Sequence, residues 1–353
     1  MSVSGVSDTT AAGETPLNGC TGRSGTGTRQ PFGPYLLYAA AVERVAYGAF
    51  MFLMGGTGRS SPPEGVLGPS FRRLPAAAAI IAPVEWDLHY EARGADDPLL
   101  LVHGTGSSLR VWDPVVDMLA ASRTVITVDL PGFGSSAPLM ATGPPPTPAG
   151  FARVLSGLLR DLGHDTAHIA GNSVGGWTAL EMARLGAARS VVALSPAGLW
   201  ARRAPLYDVL SLRATRLFTK LLDPLMPAVL SHPLGRKIAM WQTVARPERV
   251  PPDAAVEIAR AFGRSPGFEE HLDATIRERF VGGRSIAVPV TVAFGERDRL
   301  LLRHQSRHRD QLPPQTRWFE LPGCGHVPTH DDPALVAEVI LRGTDAPDRA
   351  AHP

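Results

Sequence analysis

The chain has 353 residues, 44% of them hydrophobic, enough for one large domain or two small ones with a real core. Its 35 basic and 33 acidic residues are interspersed and leave a formal charge of +2, so no electrostatic footprint for nucleic acid is present. Only two cysteines occur, Cys20 and Cys324, which excludes a disulfide framework or thiolate metal cluster and is compatible with a reducing cytoplasm.

Residues 1–33 are rich in Gly, Ser and Thr without apolar periodicity, the composition of a disordered tail. Residues 34–69 hold an apolar segment, Tyr35 to Met54, and a Gly, Ser and Pro linker. The segment has nearly the length of a membrane span, but Glu43 and Arg44 at its middle are costly in lipid. It is expected to pack as a helix on the body of the protein. Peripheral membrane contact through residues 35–54 is the alternative.

From Glu85 the pattern changes. Trp86, Leu88 and Tyr90 alternate with polar residues as in a half-buried strand, and Gly94 to Asp97 reads as its turn. Leu99 to Val102 predicts a buried strand, Val111 to Leu119 a helix, and Val125 to Val128 a second strand. Thr147 and Pro148 suit the cap and first turn of a helix to Leu162. A strand at His168 to Ala170, a helix from Val174 to Leu185 and a strand from Ser190 to Leu194 follow. The strands resume at Val288 to Phe294 and Arg317 to Leu321, and Asp332 with Pro333 opens a last helix ending near Gly343. Such alternation implies an α/β fold with a mainly parallel sheet covered by helices on both faces. That core is expected over residues 70–196 and 285–345, with a tail at 346–353. Between its halves, residues 197–284 contain no strand pattern and read as an inserted helical cap, with helices at Leu206 to Leu222, Ile238 to Val244, Ala254 to Phe262 and Phe268 to Ile276.

The strongest chemical signal is Gly171-Asn172-Ser173-Val174-Gly175-Gly176, placed where a strand ends and a helix begins. A serine on that sharp turn is strained, so its close neighbours must be small, and its hydroxyl projects at the carboxyl edge of the sheet. A Gly-rich phosphate-binding turn is the rival reading. A serine hydroxyl is a weak nucleophile at neutral pH and needs a base and an orienting acid. His326, in a Gly and Pro rich loop after the last strand, and Asp298, just past the preceding strand, supply them in the chain order serine, acid, histidine. Glu296 is the weaker candidate for the acid, and Asp331 or Asp332 suit the cap of the last helix. His326 and His330 have a helical metal spacing, but Pro328 lies between them and no acidic partner completes the set, so neither metal nor cofactor is expected.

Four motifs now agree in order: His103-Gly104-Thr105-Gly106, Asp129-Leu130-Pro131-Gly132-Phe133-Gly134, the serine turn, and the Asp298 and His326 loops. With these the chain resembles the α/β-hydrolase superfamily over about residues 84–343. The resemblance implies that Ser173 is the nucleophile, His326 the general base and acid, and Asp298 the group orienting His326. It implies an oxyanion hole of the Thr105 and Val174 amides. Gly104 would line the substrate site and His103 would brace the oxyanion loop. Trp200 opens the cap just after a strand that ends near the site, and either lines the pocket with Gly104 or packs within the cap; Trp177 would lie in the core, and Cys324 would be a small buried neighbour of the base. The elbow is similar to that of carbon–carbon bond hydrolases, which commonly carry an aromatic after the histidine where Val327 stands here. The expected activity is therefore hydrolysis of a carboxylic ester or related acyl bond of a small apolar molecule through an acyl-enzyme. Carbon–carbon hydrolysis and a non-hydrolytic biosynthetic reaction (lyase, cofactor-free oxygenase or cyclase) stand as alternatives. The expected location is cytoplasmic, with no nucleic-acid partner and the oligomeric state open.

Overall fold

The computed structural model describes residues 86–140 and 143–345. The readings made for the two tails and for the apolar segment Tyr35 to Met54 lie outside the described residues.

Seven strands form one sheet: β1 (Tyr90–Arg93), β2 (Pro98–Val102), β3 (Thr124–Val128), β4 (Ala167–Asn172), β5 (Ala188–Leu194), β6 (Val290–Gly295) and β7 (Arg317–Leu321). Their order is β1-β3-β2-β4-β5-β6-β7. Only β1 runs antiparallel, pairing Tyr90 with Val128, and every other neighbour is parallel. The strand expected from Trp86 begins only at Tyr90. The Leu88 amide closes a tight turn on the Trp86 carbonyl at 2.9 Å, and a backbone so bonded cannot join a ladder.

The helices of the core are α1 (Asp113–Ala120), α2 (Pro148–Asp161) and α3 (Val174–Arg184). Thr147 caps α2 by accepting from the Gly150 amide at 3.2 Å, with Pro148 as the first helical residue. Successive residues of β2 point to opposite faces and all are buried. Leu100 and Val102 pack with Phe151 and Leu155 of α2 and Trp177 and Leu180 of α3. Leu99 and Leu101 pack with Val115 and Leu119 of α1 on the other face. A sheet so covered can carry continuous apolar strands, each fully buried leucine contributing about 2 kcal/mol.

Between β5 and β6 every described element is helical: α4 (Leu206–Leu221), α5 (Met226–Ser231), α6 (Pro233–Met240), α7 (Pro252–Arg264) and α8 (Phe268–Thr275). The helix expected at Ile238 to Val244 instead starts at Pro233, whose fixed φ suits a first turn, and ends at Met240. The single turn α9 (Arg303–Ser306) and the helix α10 (Pro333–Thr344) complete the described chain. Val336 and Ile340 of α10 join the same apolar layer as α1. No helix among the described residues is long and apolar enough to cross a membrane.

Candidate active site

Ser173 stands between β4 and α3 with φ 58° and ψ −119°, a conformation that costs a non-glycine residue roughly 1–3 kcal/mol. The strain persists because its surroundings hold it. The Ser173 amide donates to the Leu194 carbonyl at 2.9 Å, and its carbonyl accepts from the Trp177 and Ala197 amides. A Cβ on Gly171 would sit 2.2 Å from the Gly175 carbonyl oxygen, and one on Gly175 would sit 2.1 Å from that of Val102. Only glycine fits either place, as the elbow motif required.

The loop after β2 passes directly over the serine, since a Cβ on Gly104 would meet Ser173 Cβ at 3.0 Å. His103 is fully buried, and burial pulls its pKa below the ordinary histidine value, so it is neutral. Its Nδ1 donates to the Gly104 carbonyl at 2.7 Å and its Nε2 accepts from the Leu130 amide at 2.9 Å. It therefore ties the β2 loop to the β3 loop. Among the described residues, neither the Thr105 nor the Val174 amide donates to another protein group. Val174 begins α3, where the helix dipole also favours negative charge.

His326 Nδ1 meets Asp298 Oδ2 at 3.0 Å, both groups buried. The other oxygen, Asp298 Oδ1, accepts from the Leu300 and Leu301 amides at 3.0 and 2.9 Å, which fixes the carboxylate plane. Glu296 is engaged elsewhere, accepting from the Gly323 amide at 2.7 Å. The Asn172 side chain donates to the carbonyls of Leu194 and His326, so the residue before the serine is tied to the histidine loop. Among the described residues the Ser173 hydroxyl has no hydrogen-bond partner of its own.

Asp332 caps α10 through the Leu335 amide, but Asp331 does something else. Buried beneath the His326 loop, it accepts from the amides of Gly325, Ala245 and Arg246 at 2.8, 3.0 and 2.7 Å. It joins the histidine loop to the insertion, and the Val327 amide adds a bond to the Thr243 carbonyl. Cys324 is buried, and its thiol is pushed up to about 12 by burial and then by Asp331, which makes it unreactive near neutral pH. Pro328 to His330 form a single 3-10 turn.

Trp200 is buried, its indole N–H donating to the Glu278 carbonyl at 2.8 Å, with its ring edge-to-face on Trp177 at 5.6 Å. Trp177 is also buried and donates to Glu181. These contacts account for both indoles as packing between α3 and the start of the insertion.

Three residues of the insertion bear on the site without a sequence motif to announce them. His271 of α8 is buried, stacked on Phe151 at 5.2 Å and edge-on to Phe133. Its Nδ1 lies 2.6 Å from the Pro146 carbonyl and its Nε2 lies 3.1 Å from Thr105 Oγ1. A carbonyl only accepts, so Nδ1 carries the hydrogen. Burial lowers its pKa to about 4, leaving Nε2 as an acceptor for the Thr105 hydroxyl. Phe262 of α7 covers the next residue, where a Cβ on Gly106 would clash with its ring. Asp208 of α4 is buried, and neither of its carboxylate oxygens finds a hydrogen-bond partner. Burial, then the charge of Asp298, raises it to about 8, so it holds a proton at neutral pH. A lone histidine or aspartate within a helical pattern gives no sequence sign of such surroundings.

This geometry is the frame of a fold class defined by a nucleophile elbow after a parallel strand, and the family follows from it. Residues 99–339 match the model of the alpha/beta hydrolase family, to which the chain belongs. It is similar to the epoxide hydrolase EphH of Mycobacterium tuberculosis, 34% identical over 187 residues, which are 52% of this chain and 87% of that protein. It is also similar to a 2-hydroxy-6-oxononadienedioate/2-hydroxy-6-oxononatrienedioate hydrolase of Paraburkholderia phymatum, 40% identical over 104 residues, 28% of this chain and 35% of that one. Among solved structures, the enol-lactonase of Burkholderia xenovorans superposes with a TM-score of 0.57 at 22% identity, over 74% of this chain and 98% of that one. That last likeness concerns the fold. Together the relatives make the chain a hydrolase of this fold.

Proposed function

We propose that the chain is a serine hydrolase that cleaves a carboxylic ester or related acyl bond of a small apolar molecule through an acyl-enzyme on Ser173. The observation that carries this reading is a strained serine under a loop whose Thr105 amide, like that of Val174, has no other acceptor. His326 Nε2 takes the serine proton as Oγ attacks the acyl carbon, and Asp298 holds the imidazole with its proton on Nδ1. The Thr105 and Val174 amides receive the oxyanion, a pair in which each donor is worth about 3 kcal/mol in the transition state. The proton on His326 then goes to the leaving alcohol, and water, deprotonated by the same imidazole, releases the acid. The serine–histidine hydrogen bond forms as substrate enters, as contacts of this kind often tighten only in the complex. In this reading the helical insertion is a lid, and Gly104 lies against the substrate.

A fluorophosphonate probe is expected to label the wild type and not Ser173→Ala, with turnover of p-nitrophenyl esters lost in parallel. Absence of labelling and of ester turnover would overturn the proposal. Similarity to EphH brings epoxide opening as a second reading. Opening of an epoxide with no ester turnover would favour it, although a serine stands where a carboxylate nucleophile would be required.

A further inference from the structure

The helix α4 shows apolar side chains to solvent as well as to the core. Its inner face buries Val209 beside Asp208, Arg216 and Thr219, while Leu206, Leu210, Leu217 and Leu221 are 71%, 56%, 59% and 62% exposed. At about 100° per residue these four leucines fall within roughly 60° of arc, one stripe along the whole helix. Ordinary solvation disfavours the outer row. The inner polar groups are held in place: Arg216 donates to the Phe262 and Ser265 carbonyls and stacks on Phe268 at 4.5 Å, so the helix cannot simply roll. An ordered apolar stripe facing outward marks a contact surface.

The charge around the stripe says what kind. Arg202 and Arg203 precede the helix and are exposed, Arg213 and Lys220 lie along one edge, and the one carboxylate of α4, Asp208, is buried. Arg213 is the cation already answered, by Glu269 and Asp273 of α8. At the C-terminal end of the stripe, beside Leu221, Lys220 and the guanidinium groups of Arg260 and Arg264 line a surface pocket of about 220 Å³ together with Asp223. Asp223 binds both arginines and leaves a net excess of two positive charges there. An apolar stripe ending in a cationic pocket matches an anionic phospholipid, whose acyl region and phosphate present the same two features at the same boundary.

We propose that the outer face of α4 docks on an anionic lipid surface, with the leucine stripe in the acyl boundary and a lipid phosphate at Lys220, Arg260 and Arg264. The proposal does not depend on the reaction proposed for Ser173.

Flotation of the full chain with vesicles tests it. Wild type is expected to float with phosphatidylcholine vesicles containing phosphatidylglycerol, weakly with phosphatidylcholine alone, and less as salt is raised. Lys220→Glu removes a cation, a loss of about fivefold in partitioning per charge near such a surface, and reversal adds to it. Leu210→Glu with Leu217→Glu is expected to lower binding more than tenfold. Leu210 and Leu217 are more than half exposed, and unchanged circular dichroism melting controls for folding. No flotation with either vesicle overturns the proposal. So does flotation unchanged in the leucine variant, which would move the contact to another segment such as residues 35–54. A wild-type dimer that the leucine variant turns into a monomer would assign the face to a second copy instead.

Discussion

Thr105→Val offers a clean test of how α8 holds the loop that carries the proposed oxyanion amide. The change keeps the shape of the side chain and the backbone amide, and removes only the oxygen 3.1 Å from His271 Nε2. The acceptor left behind is buried, with Nδ1 committed to Pro146 and two aromatic rings around it, so water does not replace the lost donor. Stranding such an acceptor costs about 1–3 kcal/mol of stability. Loss of a whole oxyanion donor costs about 3 kcal/mol, and here the amide is only loosened, so kcat should fall about tenfold with KM little changed. His271→Phe keeps the aromatic packing and removes the same link, and also strands the Pro146 carbonyl. In the double variant, no acceptor faces the lost hydroxyl, and the two effects on kcat are expected to overlap by about 1 kcal/mol rather than add. Steady-state ester kinetics and urea unfolding of the four proteins measure this. Full additivity, or wild-type kcat in Thr105→Val, would refute the positioning role of His271.

Three further outcomes follow from the same geometry. Asp298→Asn should lower kcat roughly a thousand- to ten-thousand-fold while fluorescence-monitored folding stays intact, and Glu296→Gln should not; the reverse ranking would make Glu296 the orienting acid. Gly175→Ala should be lost to the insoluble fraction because its new Cβ meets the Val102 carbonyl at 2.1 Å, whereas Gly157→Ala, with nothing nearer than 3.9 Å in mid-helix, should raise stability by about 0.5–1 kcal/mol. Asp208 keeps its proton to about pH 8 in the folded state but loses it near pH 4 when unfolded, so the folded state binds more protons across that window. Stability from this group therefore falls as pH rises from 4 to 8, by up to about 1.4 kcal/mol per unit, and is lost above 8. Asp208→Asn should be more stable than wild type by a margin that grows over that window; a constant difference in urea midpoints would contradict the buried neutral acid.

The sheet was legible because buried parallel strands such as Leu99 to Val102 are written as short apolar runs between turn residues, and the elbow because Gly171 and Gly175 have no substitute at contacts near 2 Å. The order of Ser173, Asp298 and His326 carried the rest of the frame, and the structure joins Asp298 to His326 and the Asn172 side chain to the His326 loop. What the sequence hid lies in long-range burial. Asp331 read as a helix cap because its neighbour Asp332 is one, yet its carboxylate gathers three amides, that of Gly325 in its own loop and those of Ala245 and Arg246 from a distant segment. His271 and Asp208 look like ordinary helix residues until α8 and α4 bring them against the core. The strand expected at Trp86 failed because alternation alone does not show a turn that closes on itself.

In the proposed mechanism Ser173 carries the acyl group during turnover. Rapid quenching of the enzyme with a p-nitrophenyl ester, followed by intact mass measurement and peptide mapping, tests it most directly. One added acyl mass is expected, on the peptide containing Ser173, formed with a burst of p-nitrophenol and absent from Ser173→Ala. Ester turnover without that adduct, or turnover surviving in Ser173→Ala, would contradict it.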